Sequence, residues 1–116
     1  MQIRDIVKIL DAEILYAGDL SAEILSACGS DMMSDVLAFV KEQGMLLTGL
    51  VNPQTVRTAE MMDMRCIVFV RGKLPGPDML ELAKQHHIAL LSTQHRMFTA
   101  CGKLYAAGLH GGHEES

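Results

Sequence analysis

The chain has 116 residues, a net charge of −4 and a sequence pI near 5.6, with 49% hydrophobic and 21% charged residues. That is the length of one domain with enough apolar content to bury a core without staples, and too apolar for a disordered chain. The acidic balance and dispersed Lys and Arg argue against a nucleic-acid module, and no apolar run approaches the ~20 residues of a membrane-spanning helix.

In chain order, Ile3, Ile6, Val7 and Leu10 recur at helical spacing and predict a short amphipathic helix. Glu13-Ile14-Leu15-Tyr16 reads as a short strand, and Ala17-Gly18-Asp19 turns the chain. The opening Met-Gln-Ile-Arg-Asp is too polar for a secretion signal. Ile24-Leu25-Ser26-Ala27-Cys28 is a weaker strand pattern that runs into Gly29-Ser30-Asp31. Ser30 or Asp31 is placed to cap the next helix, whose buried face would carry Val36, Leu37, Phe39 and Val40 and which Gly44 would stop. Met45-Leu46-Leu47-Thr48-Gly49 is another apolar run with a small exit. Asn52-Pro53 then opens a helix, Asn as cap and Pro at the first helical position, with Val56, Ala59 and Met62 facing inward.

Cys66-Ile67-Val68-Phe69-Val70 leaves no polar face, which suits a strand covered on both sides. It empties into Arg71-Gly72-Lys73. Pro75-Gly76-Pro77-Asp78 turns the chain and starts a helix with Met79, Leu82, Ala83 and His86 on one face. Ala89-Leu90-Leu91-Ser92-Thr93 is a further apolar strand with a small polar exit. A last helix over 95–107 would pack Met97, Ala100, Cys101, Leu104 and Tyr105, and Gly108 would close it. The domain is therefore expected over 1–109, with 110–116 a mobile tail that has nothing to bury.

Three consecutive βα units recur, their strands starting near Met45, Cys66 and Ala89. The fold class is α/β, a single layer of mostly parallel sheet flanked by helices. Right-handed crossovers would then place the strand exits on one edge, where open α/β sheets take ligands.

The exits suggest a small-anion site. Gly49 and Gly72 would offer backbone N–H groups, helix N-termini near Asn52 and Thr93 would add partial positive charge, and Arg71, Lys73 and Arg96 would complete a phosphate or carboxylate pocket. The candidate ligand-binding set is Ser30, Asp31, Thr48, Gly49, Asn52, Arg71, Gly72, Lys73, Ser92, Thr93 and Arg96. The competing reading is tight βα turns with solvated charges, since neither GxGxxG nor GxxxxGK[ST] is present.

Catalytic and metal readings are weaker. Asp31 and Asp35 are explained by helix capping, and Cys101 alternates with core residues although His95 is near in sequence. The histidines lack zinc spacing, and His110-Gly-Gly-His113 would hold a metal only adventitiously. No catalytic residue, metal or cofactor is expected. Three Cys without a CxxC pair point to a reducing, cytoplasmic setting. Of nine Met, those left outside the core would supply a partner surface, and a homodimer is the expected use of it.

Ser34-Asp35-Val36-Leu37-Ala38-Phe39, Leu47-Thr48-Gly49-Leu50, Ala59-Glu60-Met61-Met62-Asp63, Val68-Phe69-Val70-Arg71-Gly72-Lys73, Ser92-Thr93 and Met97-Phe98-Thr99-Ala100-Cys101-Gly102 together resemble the DRTGG domain, up to about Leu109. The resemblance is closest to stand-alone members, which are similar to the amino-terminal domain of HPr kinase/phosphorylase. Related domains sit between CBS domains in some pyrophosphatases and beside acyltransferase domains. The literal Asp-Arg and Thr-Gly-Gly are absent; Thr48-Gly49-Leu50 and Arg71-Gly72-Lys73 are the nearest counterparts. The resemblance implies a compact α/β regulatory or association module, commonly dimeric, without chemistry of its own. The expected function is a non-catalytic regulatory domain that homodimerises and takes a small anionic ligand, with an adenine nucleotide as candidate. The alternative is a protein-interaction module docking on a kinase or redox-enzyme partner.

Overall fold

The computed structural model describes residues 1–38 and 44–111. Its elements in chain order are α1 (Ile3–Leu10), β1 (Glu13–Tyr16), β2 (Ser26–Gly29), α2 (Met33–Leu37), β3 (Gly44–Thr48), α3 (Pro53–Met61), β4 (Cys66–Phe69), α4 (Pro77–His86), β5 (Ala89–Ser92) and α5 (Met97–Ala106). The five strands form one sheet in the order β1-β5-β4-β3-β2. Strands β2 to β5 run parallel, and β1 pairs antiparallel on the outer edge of β5.

The two-residue period of the strands sorts their side chains into two layers. Met45, Leu47, Cys66, Val68, Ala89 and Leu91 pack against Ile3, Ile6 and Leu10 of α1 and Ala100 and Leu104 of α5. Leu46, Ile67, Phe69 and Leu90 pack against Val36, Val56, Ala59, Met79 and Ala83 of α2, α3 and α4. Both faces are covered, which is why β3, β4 and β5 read as unbroken apolar runs rather than alternating ones.

Local chemistry fixes the helix ends. The Asn52 side chain accepts the Gln54 N–H at 2.8 Å and Pro53 follows it in the first turn of α3. At α1, a reciprocal Gln2–Asp5 capping box forms, and the open N–H groups of Ile3 and Arg4 donate to the carbonyls of Ala22 and Leu20. The 19–24 segment is thereby folded over the start of α1, with Ile24 fully buried beneath it. Asp11 and His87 end α1 and α4 in the left-handed conformation, each donating its N–H back into the last turn.

Several expectations need correction. The capping residue of α2 is Met32 and no side chain caps it; Ser30 instead accepts the Met32 N–H, and Asp31 turns away toward β3. α2 ends at Leu37; of the two expected inward residues that are described, Val36 is buried and Leu37 is 45% exposed. Phe39 and Val40 lie outside the described residues. Gly44 is the first residue of β3, buried against Ser26 of β2, rather than a helix stop. β2 begins at Ser26, two residues later than its hydropathy suggests, because Ile24 serves the α1 layer. His86 is exposed, and Tyr105 is half-exposed with its ring stacked on His110 at 4.3 Å. The His110 carbonyl also accepts the Ala27 N–H on the outer edge of β2, so packing continues one residue past Leu109. The end of the tail, 112–116, lies outside the described residues.

Candidate functional site

Parallel pairing puts Thr48, Phe69 and Ser92 in register, with Gly29 opposite Leu47, so the exits of β2, β3, β4 and β5 share one rim. Two clusters form along it.

The first joins β2, β3 and β4. Asp31 Oδ1 accepts the Thr48 hydroxyl at 3.1 Å and the Gly49 N–H at 2.6 Å. The Thr48 hydroxyl in turn accepts the Leu50 N–H at 3.1 Å, and the Leu50 carbonyl takes the Thr55 hydroxyl at 2.9 Å, which ties the rim to the first turn of α3. Arg71 comes down on the same spot: a methyl group on Gly49 would lie 2.6 Å from an Arg71 guanidinium nitrogen and 3.5 Å from Asp31 Oδ1. A side chain at position 49 would displace the Arg71 guanidinium from this spot. Arg71 makes no ion pair among the described residues; its fork lies over Gly49 with its donors open.

The second cluster joins β4 and β5. Arg71 and Gly72 both have positive φ, 59° and 68°, and the Lys73 N–H donates to the Val70 carbonyl across them, which closes a tight turn. The turn is zipped to the β5 exit. Arg71 N–H donates to the His95 carbonyl and Gly72 N–H to the Thr93 carbonyl, each at 2.8 Å. The Ser92 hydroxyl donates to the Lys73 carbonyl at 2.9 Å, and the buried Thr93 hydroxyl donates to the Leu10 carbonyl at 2.8 Å. A left-handed Arg costs about 1–2 kcal/mol relative to an ordinary backbone conformation. The zipper holds Arg71 there and so aims its side chain along the rim.

The structure therefore brings Asp31, Thr48, Gly49 and Arg71 together, and groups Gly72, Lys73, Ser92 and Thr93 beside them. It also corrects how they were expected to work. The N–H groups of Gly49 and Gly72 already have acceptors, Asp31 and the Thr93 carbonyl. Ser30 spends its hydroxyl on Met32 and Asn52 its carbonyl oxygen on Gln54. Thr93 opens no helix: α5 begins at Met97 with Arg96 as the capping residue, on the sheet face opposite α3. Gln94 belongs to the Ser92-Thr93-Gln94 exit but stood outside the candidate ligand set; its side-chain amide lies 2.8 Å from where a Gly72 methyl would be. The signal for it is spacing alone, two residues beyond Ser92 at a strand exit.

The opposite edge carries open volume. A groove of about 630 Å³ is lined by Glu60, Asp63, Met64, Arg65, His86, His87 and Ile88. A smaller one of about 230 Å³ adjoins it through Arg65 and His87. Among the described residues no group of three or more His, Cys, Asp or Glu is arranged to hold a metal ion. The cysteines stand as thiols; burial pushes Cys66 up to about 12 and raises Cys101, so neither is biased toward a thiolate. No described helix is long and apolar enough to cross a membrane.

A model of the DRTGG domain matches residues 5–107, and the chain belongs to that family. The fold is shared with a crystal structure of the CBS and DRTGG domains of the regulatory region of Clostridium perfringens pyrophosphatase, complexed with its activator diadenosine tetraphosphate. The TM-score is 0.72 at 18% identity over 89% of this chain, which spans 45% of the length of that structure. No curated protein matches this sequence.

Proposed function

We propose that this chain is a non-catalytic regulatory module that homodimerises and takes a small anionic ligand of the adenine-nucleotide class at the rim formed by the strand exits. The observation that carries the reading is Arg71: a strained left-handed turn holds its guanidinium, unpaired among the described residues, over the bare backbone of Gly49, where three strand exits meet. Backbone strain of this kind is retained where the surroundings impose it, and it clusters at ligand sites. A planar cation with five donors is suited to phosphate oxygens. Lys73 adds charge on the same turn, and Arg96 brings a further cation at the start of α5.

Family membership supports a regulatory role, and the pyrophosphatase region that shares the fold was crystallised with a dinucleoside polyphosphate. The raised Cys66 and Cys101 thiols support the non-catalytic part, and three unbridged cysteines suit the reducing cytoplasm. A nucleotide panel in a thermal-shift assay tests the ligand. At least one adenine nucleotide should raise the melting temperature, and Arg71→Ala should abolish the shift. No shift from any member would remove the ligand from the proposal. Sedimentation analysis tests the dimer.

An interaction module that docks on a kinase or redox enzyme is the second reading. It is favoured by the apolar side chains left in solvent, with Met32 61% and Phe98 90% exposed. It expects a stable complex that survives Arg71→Ala and is lost in Phe98→Ala.

A further inference from the structure

We propose that Asp31 is a built-in anion that occupies the rim and must be expelled before a ligand phosphate can settle there. The inference rests on the ligand reading above and adds the way the site is regulated.

The donors best placed to receive an anion at the first cluster are the Gly49 N–H and the Thr48 hydroxyl. Both already point at a single oxygen, Asp31 Oδ1, at 2.6 and 3.1 Å. The Arg71 guanidinium and Asp31 Oδ1 both lie close to the point above Gly49, 2.6 and 3.5 Å from where a methyl there would sit. A carboxylate oxygen and a phosphate oxygen make the same demands on backbone N–H, hydroxyl and guanidinium groups. Asp31 therefore fills the position that a ligand oxygen would take. A polyphosphate arriving beside Arg71 meets that fixed negative charge first, and like charges brought together at a binding surface weaken association strongly.

Expulsion has a structural consequence. Asp31 leads into α2, a single five-residue helix whose one buried side chain is Val36. Upstream, Ser30 N–H donates to the Leu47 carbonyl, which continues the β2–β3 pairing up to the residue before Asp31. The Asp31 carboxylate is then a link that pins the start of α2 to the end of β3. Exchanging it for a ligand oxygen unpins α2, with the exposed Met32 and Leu37 on it, while the sheet stays paired. Anion binding at the rim is thereby converted into a change on an apolar surface patch.

The test compares inorganic tripolyphosphate and adenosine triphosphate binding by calorimetry in wild type, Asp31→Asn and Asp31→Ala, with Arg71→Ala as control. Asp31→Asn keeps an oxygen for Gly49 and Thr48 while removing the charge, so it guards against a variant that fails to fold. The expected result is about tenfold tighter binding in both Asp31 variants. In wild type, saturating tripolyphosphate should accelerate amide exchange over α2 and leave β3 protected. If the Asp31 variants bind as wild type does or more weakly, while Arg71→Ala loses binding, Asp31 is no competitor and the rim site stands without it. If no protein binds either anion, even with the carboxylate removed, the rim site and the inference fall together. Binding in wild type that leaves α2 exchange unchanged would also overturn the inference.

Discussion

Arg71 concentrates the conflict between local preference and placement. Its φ of 59° suits glycine or asparagine better than arginine, and Gly72 after it has φ 68°. Replacing Arg71 with Gly relieves the left-handed penalty, offset in part by the greater freedom of glycine in the unfolded chain. Arg71→Gly should therefore be neutral to about 1 kcal/mol stabilising in urea unfolding. It should still lose any nucleotide-induced thermal shift, a separation that a merely structural arginine would not give.

Cys66 supplies a second test at this scale. Its thiol is raised to about 12 from 9.0 by burial, so the folded protein holds that proton more tightly than the unfolded chain does. Stability should fall as pH rises from about 9 toward 12, because the unfolded chain gains by ionising first. Unfolding free energy measured from pH 8.5 to 11 should slope less steeply in Cys66→Ala than in wild type.

At the level of elements, the helices differ in how much of their definition is local. α3 is written in adjacent residues: Asn52 caps, Pro53 follows, and Val56 and Ala59 bury one face. Asn52→Ala should cost about 1 kcal/mol in denaturant unfolding, the usual loss for an unfilled cap. Ser30-Asp31 presents the same local signature before α2, yet Asp31 serves Gly49, 18 residues on. An Asp before an apolar run looks identical whether its oxygen meets the next turn or a distant strand. The strands were legible for the opposite reason. β4 and β5 carry apolar residues on both faces, and in runs this short, rich in β-branched and aromatic residues or bounded by turn signals, that pattern suits a doubly covered strand. Gly44 was misread because a glycine after charged residues marks a helix end as well as a close strand approach, and only its neighbour Ser26 separates the two.

Across the whole molecule, the rim is held by ties that cross layers. The Thr93 hydroxyl, fully buried at the end of β5, satisfies the carbonyl that ends α1, 83 residues away in sequence. Thr93→Val keeps the shape and leaves that carbonyl without its donor. It should cost about 1–3 kcal/mol and loosen both α1 and the 93–96 segment in amide exchange. The same change should leave the Asp31–Gly49 contact intact, since the two clusters share only the turn at Arg71 and Gly72.

The sequence by itself determined the class of fold, the common direction of the three βα units and the presence of Thr48, Gly49, Arg71 and Ser92 on one edge, because strand period and crossover handedness are properties of local chain. It also carried the family. Only the tertiary structure decided that β1 turns antiparallel onto β5, that the glycine N–H groups of the rim are already in use, and that Asp31 is the group using one of them. Those outcomes depend on which donors and acceptors meet after the layers close. Hydrogen-bond partners separated by 17 to 83 residues leave no pattern in the local spacing that a reader of sequence relies on.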